Sequence, residues 1–114
     1  MMGYMKDKLK EAEDTMTALG KDYPGLQGPF GVLKRHSCEK DGALDVKTKK
    51  LIAVAVALCA GCEYCIAIHT KGAMDAGATK DELVEAGYVA VLMGGGPPLT
   101  YMTKLMAAIE EFGE

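Results

Sequence analysis

The chain is predicted to be all-α, a bundle of about six helices. Three observations predict this. Apolar residues recur at three- and four-residue steps along most of the 114 residues, which is the period of one helix face. Helix start and stop signals fall between those stretches. No segment reads convincingly as a strand, and no internal repeat is evident.

Met2, Met5, Leu9, Ala12, Met16 and Leu19 phase the first helix, and Gly20 follows as a stop. Asp22 to Gly28 is turn material. Pro29 opens a short second helix to about Glu39, with Phe30 and Leu33 facing inward. Lys40-Asp41-Gly42 is a turn, and Asp45 caps a third helix from about Val46 to Ala60. Within it Ile52, Val54, Val56 and Leu58 alternate with alanines, a strand-like period. The alanines, the lysine-rich start and the length favour a buried helix.

A fourth helix runs from Cys62 to about Ala76, with Gly77 as its stop. Thr79-Lys80-Asp81-Glu82 is a capping box that opens a fifth helix to about Met93. Gly94-Gly95-Gly96-Pro97-Pro98 breaks the chain as a flexible connector. A phosphate loop would need a preceding strand and a Lys-Ser/Thr, and neither is present. Leu99, Met102, Met106 and Ile109 phase a sixth helix to about Phe112. Eight methionines, several on these stripes, suit core filling or an adaptable subunit interface.

Length fits one domain over residues 1–114. A chain of this size buries roughly 65% of its unfolded surface, so self-association would help it. With 49% apolar residues it is not disordered. A net charge of −3 argues against nucleic acid and against an anionic membrane surface. Lys47, Lys49 and Lys50 form only a short basic cluster. The N-terminus lacks the apolar run of a signal peptide, and Leu51 to Ala60 is too short to span a bilayer. The expected location is the cytoplasm, where a C-x-x-C is catalytic or metal-binding and not a structural staple.

The most informative motif is Cys62-Glu-Tyr-Cys65-Ile-Ala-Ile-His69. On a helix, residues 62, 65 and 69 share one face. Gly61 ends one helix and lets the next begin, which puts Cys62 near a helix N-terminus. Unpaired N–H groups and the macrodipole favour a thiolate there. The i, i+3 spacing lets the two sulfurs close a disulfide. A neutral His69 can accept the Cys65 proton, and its imidazolium then stabilises the thiolate. Buried cysteines also act as small hydrophobes, but the phased histidine favours redox chemistry.

Cys59-Ala-Gly-Cys62 overlaps the motif, so Cys59, Cys62, Cys65 and His69 can also be read as metal ligands. Such ligands usually come from turns and distant segments, and Cys59 is more simply a core residue. Cys38 is isolated, a packed or surface thiol. No cofactor and no metal are expected.

Leu51 to His69 closely resembles the core of the carboxymuconolactone decarboxylase / alkylhydroperoxidase D (AhpD-like) superfamily. The match is specific from about Leu44 to Gly77, and the capping-box helix fits as well. The resemblance implies a helical subunit in homotrimers or homohexamers. It implies a peroxidase or disulfide-reductase cycle, with a hydroperoxide as substrate. Cys65 would attack the peroxide, Cys62 would resolve the product as a disulfide, and His69 would belong to a proton relay. A dithiol reductant, a lipoylated protein in the best-known branch, would supply electrons.

That redox branch carries a glutamate where this chain has Lys50. Lys50 is either a solvated lysine at a helix start, the preferred reading, or a cation that modulates the thiol. Glu39, Glu63 and Glu82 are candidate substitute acids. Two other functions stay open. One is a cofactor-free carboxymuconolactone decarboxylase-like lyase, which has no use for a C-x-x-C. The other is a metal-binding or partner-binding helical module.

Overall fold

Six α-helices and one π-helical turn make up the described residues, and no strand occurs among them. The computed structural model describes residues 3–113. Met2, expected on the first stripe, lies outside them.

Helix α1 (Tyr4–Asp22) buries Met5 and Ala12 and packs Leu9 against the core. It runs past Gly20, because the Tyr23 N–H still reaches the Leu19 carbonyl at 2.7 Å. Only Tyr23 separates α1 from α2 (Pro24–Lys34), so the turn expected over 22–28 is helix. Pro24 explains the early start. Its fixed φ and missing N–H suit the first helical position, and Pro29 falls inside the helix. Phe30 and Leu33 are 48% and 63% exposed, contrary to the inward placement expected. Helix α2 packs mainly on α1 and on the π turn. Its stripe of Tyr23, Leu26, Phe30 and Leu33 is about half or more exposed.

The π turn, Arg35–Glu39, widens the end of α2. Lys49 holds this end to α3 (Val46–Ala60), with Nζ donating to the carbonyls of His36 (3.2 Å) and Lys40 (2.8 Å). Asp45 caps α3 by accepting from the Thr48 N–H at 2.8 Å. Helix α3 packs against α4, α5, α6 and the π turn, burying Val54, Ala57 and Leu58. It is not buried all round: Ile52 and Val56 are about half exposed. The apparent two-residue alternation is thus one helix showing two faces.

Helix α4 (Glu63–Asp75) buries Ile66, Ala67, Thr70 and Ala73. Helix α5 (Lys80–Gly94) opens with the expected capping box. The Glu82 N–H donates to Thr79 Oγ1 (3.1 Å), and the Thr79 N–H to Glu82 Oε1 (2.9 Å). The predicted five-residue break at 94–98 shrinks to Gly95, whose φ of 78° suits glycine. Pro97 and Pro98 sit in the first turn of α6 (Gly96–Phe112), where prolines are tolerated. The buried face of α6 is Pro98, Met102, Leu105, Ala108 and Ile109, while Leu99 and Met106 face outward. The core joins Met102, Leu105, Ala108 and Ile109 to Met5, Val54, Leu58, Ile66 and Leu83. No helix among the described residues is long and apolar enough to cross a membrane.

Candidate functional site

The junction of α3 and α4 builds the site. Helix α3 ends in a Schellman arrangement: the Cys62 N–H reaches back to the Ala57 carbonyl (3.1 Å) and Gly61 takes a left-handed φ of 67°. The residue that closes α3 is therefore the one that opens α4. Cys62 is the N-cap of α4, and its Sγ accepts from the Cys65 N–H at 3.1 Å. A Cβ on Gly61 would stand 3.2 Å from the Tyr101 ring, so α6 also holds the junction.

Cys62 and Cys65 form a disulfide, with Cα atoms 5.2 Å apart, inside the range that such a bridge needs. Both are half-buried. Between them Tyr64 lies under the Lys8 ammonium, 4.8 Å from the ring centre, and Glu63 lies 3.8 Å from Lys104. Tyr64 also borders an apolar groove of about 520 Å³ between α1 and α2.

His69 lies one turn past Cys65. Its hydrogen-bond contact among the described residues is with neither motif cysteine. Nδ1 sits 4.0 Å from Cys38 Sγ on the π turn. Both line a cavity of about 330 Å³, walled by Phe30, Leu33 and Ile52 with Lys34 and Lys49 beside them. Burial, then the charges of Lys50 and Lys34, push the imidazole down to about 4, and Glu39 opposes them. His69 is therefore neutral at pH 7: it can accept a proton, but its cation is disfavoured.

Lys50 is a buried residue and not a surface lysine, contrary to the preferred reading. It is 6% exposed, and its stem lies on Gly72, where a Cβ would come within 2.9 Å of Cε. Cys59 is not a core residue either. It is exposed, with Sγ 3.6 Å from the Ala90 carbonyl. Cys38 is half-buried beside His69, a pairing that no spacing in the sequence signals. Of the candidate acids, Glu82 is committed to its capping box and to Lys47 at 2.8 Å, and the Lys47 bond holds its carboxyl below the usual value. Glu63 stands near Lys104, whereas the charge of Glu39 reaches His69. Among the described residues no three His, Cys, Asp or Glu side chains converge on a metal-sized site.

Comparisons with known proteins agree with this architecture. An uncharacterized protein from Cupriavidus necator is 38% identical over 104 residues, 90% of each chain. An uncharacterized protein encoded in the cox locus of Paracoccus denitrificans is 46% identical over 71 residues, 62% of this chain and 64% of the other. The crystal structure of a carboxymuconolactone decarboxylase family protein from Legionella pneumophila superimposes with a TM-score of 0.91 at 38% identity, covering 96% of this chain and 97% of that one. Residues 31–108, which run from α2 through the cysteine pair into α6, match the family's own sequence description. By fold and by sequence alike, the chain belongs to the carboxymuconolactone decarboxylase family.

Proposed function

We propose that the chain is a thiol-dependent peroxidase or disulfide oxidoreductase. The observation that carries this reading is the Cys62–Cys65 disulfide at the N-terminus of α4, half-buried and capped onto the helix by its own sulfur. A thiolate at a helix start gains from the N–H groups and dipole that surround it. In the cycle, the Cys65 thiolate attacks the distal oxygen of a hydroperoxide. The O–O bond breaks, an alcohol or water leaves, and Cys65 becomes a sulfenic acid. The Cys62 thiol then displaces hydroxide as water and closes the disulfide. A dithiol reductant, such as a lipoylated protein, returns both thiols and is itself oxidised to a disulfide.

His69, neutral at pH 7, takes the proton of the attacking thiol. Lys50 modulates it by holding a positive charge nearby, which makes the base weak and turnover slow. The lyase alternative gives the disulfide no task.

The exposed stripe on α2, together with the exposed Val56, Leu92 and Met93, supports assembly into a homotrimer or homohexamer. Light scattering that shows a monomer at micromolar concentration would exclude that assembly.

The deciding experiment is a thiol count. The reduced chain has four cysteines. One equivalent of hydrogen peroxide or an organic hydroperoxide should remove two thiols, both within the 62–65 peptide, and a dithiol should restore them. An unchanged count would end the proposal.

A further inference from the structure

The fold sets the half-buried thiol of Cys38 beside the imidazole of His69, with Sγ 4.0 Å from Nδ1. The thiol is held there from both sides. Lys49 Nζ donates to the carbonyls of His36 (3.2 Å) and Lys40 (2.8 Å), which bracket Cys38 in the chain. A thiol fixed beside an imidazole has an acceptor for its proton when it attacks an electrophile. His69 is neutral at pH 7 and so free to accept. With Cys62 and Cys65 joined, Cys65 carries no proton, and Cys38 is the thiol left to this imidazole.

The pair opens into the cavity of about 330 Å³ and not into packed core. Phe30, Leu33, Ile52 and Ala53 make its walls apolar, which favours an uncharged organic molecule over water. Lys34 and Lys49 line it too, and among the described residues no carboxylate does. Lys34 is paired with Glu39 at 3.6 Å, whereas Lys49 is held by carbonyls and not by a carboxylate. One ammonium without a carboxylate partner thus shares the cavity with the thiol, where it favours negative charge that develops on a bound carbonyl oxygen. The volume equals about eleven waters at ~30 Å³ each, enough for a molecule of several carbons.

We propose that Cys38 is a covalent modification site: small, uncharged α,β-unsaturated carbonyl compounds bind in this cavity and add to the thiol, with His69 as the proton acceptor. In the step, Cys38 Sγ forms a bond to the β-carbon, and the C=C electron pair moves toward the carbonyl oxygen beside Lys49. The thiol proton passes to His69 Nδ1, and a proton returns from the imidazole to the α-carbon. The product is a one-to-one thioether adduct. Nothing is oxidised, nothing leaves, and no co-reactant is needed. The proposal does not rest on the peroxidase reading, because His69 enters only as the neighbour of Cys38. Cys59 is the contrast: it is exposed, and its Sγ lies 3.6 Å from the Ala90 carbonyl and not beside an imidazole.

The test uses the full chain in its disulfide form, where Cys38 and Cys59 are the free thiols. N-methylmaleimide and N-ethylmaleimide are the probes, and peptide mass spectrometry gives the rate at each cysteine at pH 7. In the wild-type chain the ethyl reagent should react about two- to fourfold faster than the methyl one at Cys38, because one more methylene enters the apolar cavity. At Cys59 the two reagents should react equally. General base catalysis is worth ~10²–10⁴-fold, and less from a base whose cation is disfavoured, so His69→Gln should slow Cys38 by about tenfold and leave Cys59 unchanged. A merely looser fold would expose Cys38 and speed its labelling, so slowing is not a packing effect. The reagent comparison needs no variant. Equal ethyl-to-methyl ratios at the two cysteines, a Cys38 that stays unlabelled while Cys59 reacts, or a Cys38 rate that is unchanged or faster in His69→Gln would each overturn the proposal. No readout uses peroxide, so the thiol count judges the peroxidase reading separately.

Discussion

Gly61→Ala should cost more stability than Gly77→Ala. A non-glycine residue in the left-handed region costs about 1–2 kcal/mol. Removing a glycine also restricts the unfolded chain, which returns about 0.4–1 kcal/mol. At Gly77, φ is 95° and nothing stands within 4 Å of an added Cβ. Gly77→Ala should therefore lose only the backbone remainder, about 1 kcal/mol. At Gly61, φ is 67° and the added Cβ meets three atoms of the Tyr101 ring at 3.2–3.3 Å. Tyr101 is packed against the core and cannot swing away freely. Moving it adds about 1 kcal/mol, the low end of overpacking costs.

With an unfolding entropy of about 2.1 cal/mol/K per residue, 114 residues convert these losses to Tm shifts of about 4 °C for Gly77→Ala and about 8 °C for Gly61→Ala. The assay is thermal unfolding of the disulfide form at one fixed protein concentration, because assembly would make Tm concentration-dependent. Equal shifts for the two variants would refute the claim that Tyr101 holds the junction. A larger shift at Gly77 would refute the geometry of the cap itself.

Three further outcomes follow from the site. Peptide mapping after mild oxidation should find one Cys62–Cys65 bridge with Cys38 and Cys59 free; Cys65→Ser should abolish peroxide consumption, and Cys62→Ser should trap a sulfenic acid on Cys65. His69 is depressed from 6.5 to about 4, so between those values the unfolded chain binds more protons than the folded one, and stability should fall as pH drops through that window and be fully present above it. Urea midpoints at pH 7 and pH 5 check this, and His69→Gln should flatten the difference. Thr79→Ala removes the acceptor for the Glu82 N–H and should lower stability by about 1 kcal/mol, read as a lower urea midpoint at pH 7 with peroxide consumption unchanged.

The signals legible in the sequence were those set by local chemistry. Asp45, Thr79 and Gly61 act on residues within four positions of themselves, and each does in the structure what its side chain or missing side chain allows. The C-x-x-C spacing likewise placed Cys62 at a helix start without knowledge of the rest of the fold. What could not be read depended on which face meets which neighbour. Phe30 and Leu33 have the phasing of core residues, but α2 lies at the edge of the bundle. Lys50 looks like a surface lysine from its neighbours Lys47 and Lys49, and only the packing of α4 through Gly72 buries it. Cys38 and His69 are 31 residues apart, and no local pattern joins them. The α5–α6 break is shorter than its glycine and proline run suggests, because Pro97 and Pro98 serve a helix start.

In the cycle we propose, the sulfur that caps α4 is also one of the two that change oxidation state. This closes a thermodynamic cycle between the order of the first turn of α4 and the reduction potential of the pair. In the disulfide, Cys62 Sγ is a neutral, weak acceptor for the Cys65 N–H. As a thiolate it would be a charged one, and charge-assisted hydrogen bonds are roughly twice as strong. The reduced thiolate thus tightens the turn that the disulfide holds covalently. By reciprocity, whatever favours that hydrogen bond in the reduced state makes the disulfide easier to reduce. The potential of the couple can therefore be set from outside the pair, by residues such as Gly61 and Tyr101 that decide where the α4 helix begins.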